Sequence, residues 1–446
     1  MFEYDSDSLK SIAEAVIRRA EDLGASACAV DVSENVGLDV NVRRRRVETI
    51  EQTRDKGMGV TVYIGTRRGH ASSSDFDLGA LGETVAAAYE IARYTAEDPC
   101  AGLPEPDTLA VDIPDLDLFH FWDVDAERAI AIAIAAETAA FDTSPMVRNS
   151  DGASVSVGYG HFFSANSLGF AGGYEFSRHS LACSPIARRG RSMQRDDWYS
   201  AHCNPQRLAD PAAVGRYAAQ RALSRLGARR ISTRSAPVLF ESPLACGLLG
   251  HFVQAVSGTS LYRKASFLVD SLGQRVFAPH IDITEDPHRR GEPGSAPFDA
   301  EGVATRKRAV VKAGAVAGYF LSTYSGRKLG MPSTGSAGGS HGLSLTSRKT
   351  RPGDDLPAML RALGTGLFVT EMMGQGVNYL TGDYSRGASG YWVENGVIAY
   401  PVEEITIAGN LREMFAAIEA VGADVIQRGN KRCGSVLIGK MAIAGT

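Results

Sequence analysis

Nine histidines and six cysteines are the side chains of this 446-residue chain best suited to hold a metal or attack a carbonyl, and their spacing argues against most such uses. No two histidines stand three, four or five residues apart, which removes the helical metal sites in which two imidazoles converge on one ion. His280 and His288 bracket Asp282, Glu285 and Asp286 in a polar stretch that reads as a solvated loop. His202 and Cys203 are adjacent, so on a strand they point to opposite faces and make a poor catalytic dyad. No serine nucleophile elbow and no phosphate-cradling glycine loop is read in the chain.

Two stretches remain where chemistry or binding could sit. Ser242 to Gly258, S-P-L-A-C-G-L-L-G-H-F-V-Q-A-V-S-G, reads as a buried helix. Ser242 can cap it, Pro243 suits its first turn, and Gly258 can end it in a left-handed residue. Leu244, Leu248, Phe252 and Val256 line one side, while Ala245, Gly247 and Gly250 admit a close backbone. It holds one histidine, His251, and no carboxylate, so His251 reads as a core histidine with one hydrogen bond. Cys433, in R-C-G-S-V-L-I, reads as a buried strand thiol. The other stretch is T-G-D-Y-S-R, residues Thr381, Gly382, Asp383, Tyr384, Ser385 and Arg386. On a glycine-spaced turn their backbone groups are free to pair with an extended peptide. The plainer reading is a hairpin tip held by an Asp383 to Arg386 contact.

The elements that would position these residues divide the chain in two, as its length suggests. The fold class expected is α+β. An N-terminal domain, residues 1–230, combines antiparallel strands with amphipathic helices at 8–23, 81–94, 124–141 and 211–226. A C-terminal domain, residues 237–446, carries few helices and many strands separated by glycine turns. The Asn395-Gly396 hairpin is among them, and a β-barrel or strongly curved sheet is expected. The Arg43 to Arg46 run reads as a solvated edge strand guarded by charge. A net charge of −4 gives no footprint for nucleic acid. Six scattered cysteines without a C-x-x-C pair, an acidic N-terminus and no apolar span indicate reduced thiols in a cytoplasmic protein outside the membrane.

Several stretches resemble the TldD/PmbA family, in its PmbA (TldE) branch. They are A-R-Y-T-A-E-D-P-C-A-G, S-L-Y-R-K-A-S-F-L-V-D-S-L-G, Y-S-G-R-K-L-G-M-P-S-T-G, T-G-D-Y-S-R-G-A-S-G-Y-W-V-E-N-G and E-E-I-T-I-A-G-N-L. The resemblance implies a heterodimer with a TldD-like catalytic subunit. That partner holds zinc or another divalent metal on a His-Glu-x-x-x-His helix with a late Cys, and cleaves unfolded peptides such as microcin precursors and antitoxins. This chain would have no cofactor of its own, and a homodimer is open to it when alone. Aligned by S-F-L-V-D-S-L-G, Leu249 and Gln254 stand where the two metal histidines would be, and Gly250 where the glutamate would be. A register shifted by three puts Cys246 and Gly247 at the first two positions and His251 at the last. In both, only the late cysteine is kept, as Cys433. The alternatives are a protein that modulates DNA gyrase without a part in hydrolysis, and a self-sufficient hydrolase.

Overall fold

The computed structural model describes residues 1–445. The N-terminal part opens with α1 (Ser6–Asp22), whose first turn is capped by the Asp5 carboxylate accepting from the Ser8 amide at 2.8 Å. Strands β1 (Ala27–Arg43), β2 (Arg46–Ile64) and β3 (Arg67–Ser73) follow, then α2 (Leu78–Tyr94). After the proline-rich connector come α3 (Ala126–Asp142), β4 (Val147–Asn166), β5 (Ala171–Arg189), β6 (Ser192–Arg195), β7 (Trp198–His202) and α4 (Pro211–Ser224). They form one antiparallel sheet in the order β3-β2-β1-β4-β5-β6, with β7 also paired to β5.

Strand length explains how this sheet serves four helices. β1, β2, β4 and β5 run 17, 19, 20 and 19 residues, several times the usual strand. Cys28, Val30 and Val32 share a face of β1 with Leu38, Val40 and Val42, because side chains alternate. The first three pack with α1 and α2, and the second three with α3 and α4. Shorter strands at 27–32, 38–42 and 60–64 are what apolar runs alone predict; the polar middle of β1 is paired on both sides instead.

The Arg43 to Arg46 run is corrected from strand to turn. Arg44 and Arg45 have φ of 52° and 60°. Their amides donate to the fully buried carboxylate of Glu137 on α3, at 2.8 and 2.5 Å. A buried carboxylate satisfied by two N–H groups holds this tight turn in place. The edge reading survives only for the first half of β2, which has β1 as its one neighbour.

The C-terminal part begins with β8 (Arg234–Phe240), α5 (Ser242–Ala255) and α6 (Gly258–Tyr262). Next are β9 (Ile281–Glu285), β10 (Arg308–Lys312), β11 (Ala315–Val316), α7 (Thr323–Leu329), β12 (Leu343–Ser347) and α8 (Leu356–Leu363). The chain ends with β13 (Gly366–Met373), β14 (Asp383–Glu394), β15 (Val397–Asn410), α9 (Leu411–Ala416), β16 (Ile418–Val421), β17 (Ile426–Arg428), β18 (Lys431–Cys433) and β19 (Val436–Ala444). One sheet runs β11-β10-β9-β12-β18-β17. In the other, β8, β13, β14, β15 and β19 close into a five-stranded barrel, because β15 also pairs with β19. Closure removes the exposed edges that so many strands would otherwise present. Asn395 and Gly396, with φ of 54° and 78°, make the expected tight turn between β14 and β15. The molecule is thus α+β throughout. Among the described residues no helix is long and apolar enough to cross a membrane.

Candidate functional site

Helix α5 lies between the barrel and the second sheet. Leu248, Leu249, Phe252 and Ala255 are buried in the largest core, where the Phe252 ring meets Phe277 edge-on at 5.0 Å. Both of its expected ends are corrected. Glu241, not Ser242, precedes the first turn as its cap residue, without a side-chain bond. The Ser242 hydroxyl instead donates to the Cys433 carbonyl at 2.6 Å and accepts from the Ile426 amide at 3.2 Å, tying α5 to the β17–β18 hairpin. Gly258 does not end α5 but starts α6. Its need for glycine is steric, since a Cβ there would lie 2.1 Å from Ser325 Oγ.

The opposite face of α5 presents Gly247, Gly250, His251 and Gln254, of which Gly247 and Gln254 are exposed. The sequence reading put His251 in the core; it is in fact only partly buried and borders this open face. Its Nδ1 lies 2.8 Å from the Tyr379 hydroxyl, and its ring meets Tyr384 edge-on at 5.7 Å. Burial, with the Arg386 charge second, depresses the imidazole to about 4, so it is neutral at pH 7. A base depressed in the folded state adds stability above its ordinary value near 6.5, and loses it as pH falls toward 4. His251→Gln should therefore flatten the acid limb of the stability profile between those values by about 1–3 kcal/mol, read from urea midpoints at each pH.

Around this face the groups are poorly suited to a divalent ion. Leu249 is 1% exposed and faces the core, and Gln254 Nε2 donates to Ser260 Oγ at 3.2 Å. Lys431 Cε stands 3.9 Å from where a Cβ on Gly250 would be, so an ammonium stem covers that part of the helix. Cys246 Sγ lies 3.7 Å from the Lys431 carbonyl and 3.9 Å from the Ile426 carbonyl. Burial pushes its thiol up to about 11, and the fully enclosed Cys433 well above the ordinary thiol range. Of the two registers, the one shifted by three is the one that brings residues together, because Cys246 bonds the Lys431 carbonyl in β18, the strand that carries Cys433, while Leu249 faces the core. Even so, two protonated thiols, one neutral imidazole and no carboxylate do not form a fitting donor set. Among the described residues no three His, Cys, Asp or Glu converge.

The segment 381–386 meets the same site from the other side but is not an open edge. Asp383 to Arg386 pair with β15 along one side. On the other, the Asn378 amide donates to the Asp383 carbonyl at 2.8 Å and the Ser385 amide to the Gly376 carbonyl at 2.7 Å. The chain's own residues 376–378 thus occupy the position expected for an added peptide. No Asp383 to Arg386 contact forms. Asp383 accepts from the Thr381 hydroxyl at 2.7 Å, and Arg386 Nε donates to the Gly374 carbonyl at 2.9 Å. Tyr384 is buried against His251, and Gly382, with φ of 83°, lets residue 381 turn back onto Asn410.

Although no nucleophile elbow is expected from the sequence, Gly338-Gly339-Ser340-His341-Gly342 does spell the G-x-S-x-G pattern. It leads into strand β12 and not into a helix, and the Ser340 carbonyl accepts from Asn430 Nδ2 at 2.5 Å. It therefore lacks the sharp strand-to-helix turn that exposes a nucleophile.

Three family models match nearly the whole chain. They are described as PmbA/TldA metallopeptidase domain 1 over residues 28–92, central domain over 119–226 and C-terminal domain over 233–445. A Metalloprotease PmbA of Escherichia coli O157:H7 is 45% identical, with 98% of this chain and 97% of that protein covered. A Metalloprotease PmbA homolog of Haemophilus influenzae is 43% identical over 100% of this chain and 98% of its own length. Among solved structures, TldE from Thermococcus kodakarensis superposes with a TM-score of 0.81 at 17% identity, covering 97% of this chain and all (100%) of that one. A Bacteroides thetaiotaomicron protein proposed as a modulator of DNA gyrase gives 0.92 at 24% identity, over 99% and 100%. At those identities the two structures speak to the fold.

Proposed function

Because the chain belongs to the PmbA branch of the PmbA/TldD metallopeptidase family, we propose that it is the metal-free chain of a two-chain cytoplasmic peptidase. A TldD-like partner supplies the divalent metal, the activated water and the general base, and this chain supplies an interface and a wall of the chamber that takes unfolded peptide. The observation that carries the reading is the open face of α5. Where a metallopeptidase helix would offer two imidazoles and a carboxylate, it offers Gly247, Gly250, Gln254 and the single imidazole of His251, with the Lys431 side chain over Gly250.

The test is cleavage of an unstructured peptide by this chain alone, by a TldD-like chain alone, and by the two mixed. The mixture should cleave at least tenfold faster than this chain alone and lose that activity to a chelator. Chelator-sensitive turnover by this chain alone, with one zinc per molecule, would overturn the reading.

A further inference from the structure

Between the N-terminal sheet and the β17–β18 turn lies a cleft of about 490 Å³, within the size range of small-ligand sites. Its walls are aromatic, with Phe162, Tyr174 and Phe176 from the sheet and Tyr199 from β7. Its only charged lining residues are Arg178 and Arg428, and no aspartate or glutamate lines it, although the chain as a whole carries a net charge of −4.

Arg428 is the informative member. Its guanidinium lies over the Tyr199 ring at 3.9 Å and the Trp198 ring at 4.6 Å, and one N–H donates to the Tyr199 carbonyl at 3.3 Å. Stacking fixes its orientation. Among the described residues its other N–H groups find no acceptor, and no carboxylate stands within ion-pair distance. A partly buried guanidinium costs desolvation that a chain normally offsets with a paired acid, and here Glu241 and Asp197 act on it only from beyond ion-pair distance. His202 adds a second free donor. Its Nδ1 accepts from the Asn204 amide at 2.9 Å, which places the proton of the neutral ring on Nε2, and Nε2 is buried without a partner. Burial, with the Arg207 charge second, lowers that ring's affinity for a second proton.

We propose that this cleft binds the free C-terminal carboxylate of a peptide whose last side chain is apolar, with Arg428 gripping the carboxylate and the aromatic walls taking the side chain. A planar carboxylate matches the fork of a guanidinium, and an apolar end group matches the walls. That the carboxylate belongs to a peptide rests on the peptidase reading above; the anion and its apolar carrier do not.

The test uses the isolated full-length chain and an N-terminally fluorescein-labelled Gly-Ser-Gly-Ser-Phe peptide, as the free acid and as the C-terminal amide, read by anisotropy. The acid should bind at least tenfold more tightly than the amide, and Arg428→Gln should abolish the difference. Unlabelled 3-phenylpropionate, an aromatic acid without a peptide, should compete only weakly. Equal binding of acid and amide would overturn the proposal, and so would no binding of the acid at millimolar concentration. Displacement by 3-phenylpropionate as effective as by the peptide acid would overturn the peptide assignment. The comparison of acid with amide stands even if Arg428→Gln fails to fold. Because no cleavage is read, a mixture that shows no peptidase activity beside a chain that discriminates acid from amide would sink the subunit reading and leave the site for a carboxylate on an apolar carrier.

Discussion

Arg221→Ala is expected to lower the stability of the chain by about 3–5 kcal/mol, the range for removing one partner from a buried ion network. Arg221 leaves α4 and reaches three groups. Its Nε donates to Asp196 at 3.0 Å, Nη1 to Glu241 at 2.6 Å, and Nη2 to the Thr370 carbonyl at 3.3 Å. Glu241 sits at the head of α5 and Thr370 lies in β13 of the barrel, so one guanidinium joins the N-terminal helix layer to the domain that carries the candidate site. The side chains of Arg221, Asp196 and Glu241 are only 13%, 8% and 10% exposed. Burial raises the Glu241 carboxyl, and Arg221 opposes that rise. Without the arginine, Glu241 is left unpaired beside Asp196, because Arg225 bonds Asp196 and Glu371 and not Glu241. Trp198, whose ring lies 5.3 Å from the Arg221 guanidinium, reports the loss as a shifted urea midpoint in fluorescence. Arg221→Met with Glu241→Leu should recover part of it, since Glu241 is then no longer stranded and Asp196 keeps Arg225. A single-variant loss below about 1 kcal/mol would mean that water reaches the network.

Local signals in the sequence were legible wherever a few neighbouring residues decide the outcome. The helices read at 8–23, 81–94, 124–141 and 211–226 form at Ser6–Asp22, Leu78–Tyr94, Ala126–Asp142 and Pro211–Ser224, and the Asn395-Gly396 turn sets the β14–β15 register. Signals that depend on partners far along the chain were not legible. Ser242 looked like a cap because serine before proline usually is one, yet its hydroxyl serves two groups more than 180 residues away. The 381–386 segment looked open because its polar residues alternate, yet residues 376–378 fold back over it. β19 continues through Met441 and Ile443 beyond the apolar run Val436 to Ile438, as those side chains point into the barrel and Lys440 points out. The cleft was least legible of all, since Arg428 and Tyr199 stand 229 residues apart. The same hairpin that carries Arg428 also carries Lys431 and Cys433, so the cleft and the open face of α5 are two sides of one short segment.

That arrangement decides which alignment of α5 with a metal-binding helix is physically sound. Leu249→His should cost about 3–4 kcal/mol, because the side chain is 1% exposed within the largest core, and an imidazole there loses apolar burial while gaining an unpaired polar group. Gly247→Glu should instead leave stability unchanged or raise it by about 0.5–1 kcal/mol. Gly247 is exposed, a Cβ there meets nothing within 4 Å, and glycine is the poorer helix former. A helix can present ligands only on a face that ligand and water can reach. Neither first position meets that condition, since Cys246 is 4% and Leu249 1% exposed; the register beginning at Cys246 is favoured at its second position, where Gly247 is exposed with nothing within 4 Å of a Cβ while Gly250 lies against Lys431. Urea unfolding of the two variants side by side distinguishes them. Leu249→His within 1 kcal/mol of the parent, or Gly247→Glu more than 2 kcal/mol below it, would restore the register taken from S-F-L-V-D-S-L-G and remove the geometric argument that α5 turns its glycine face toward the site.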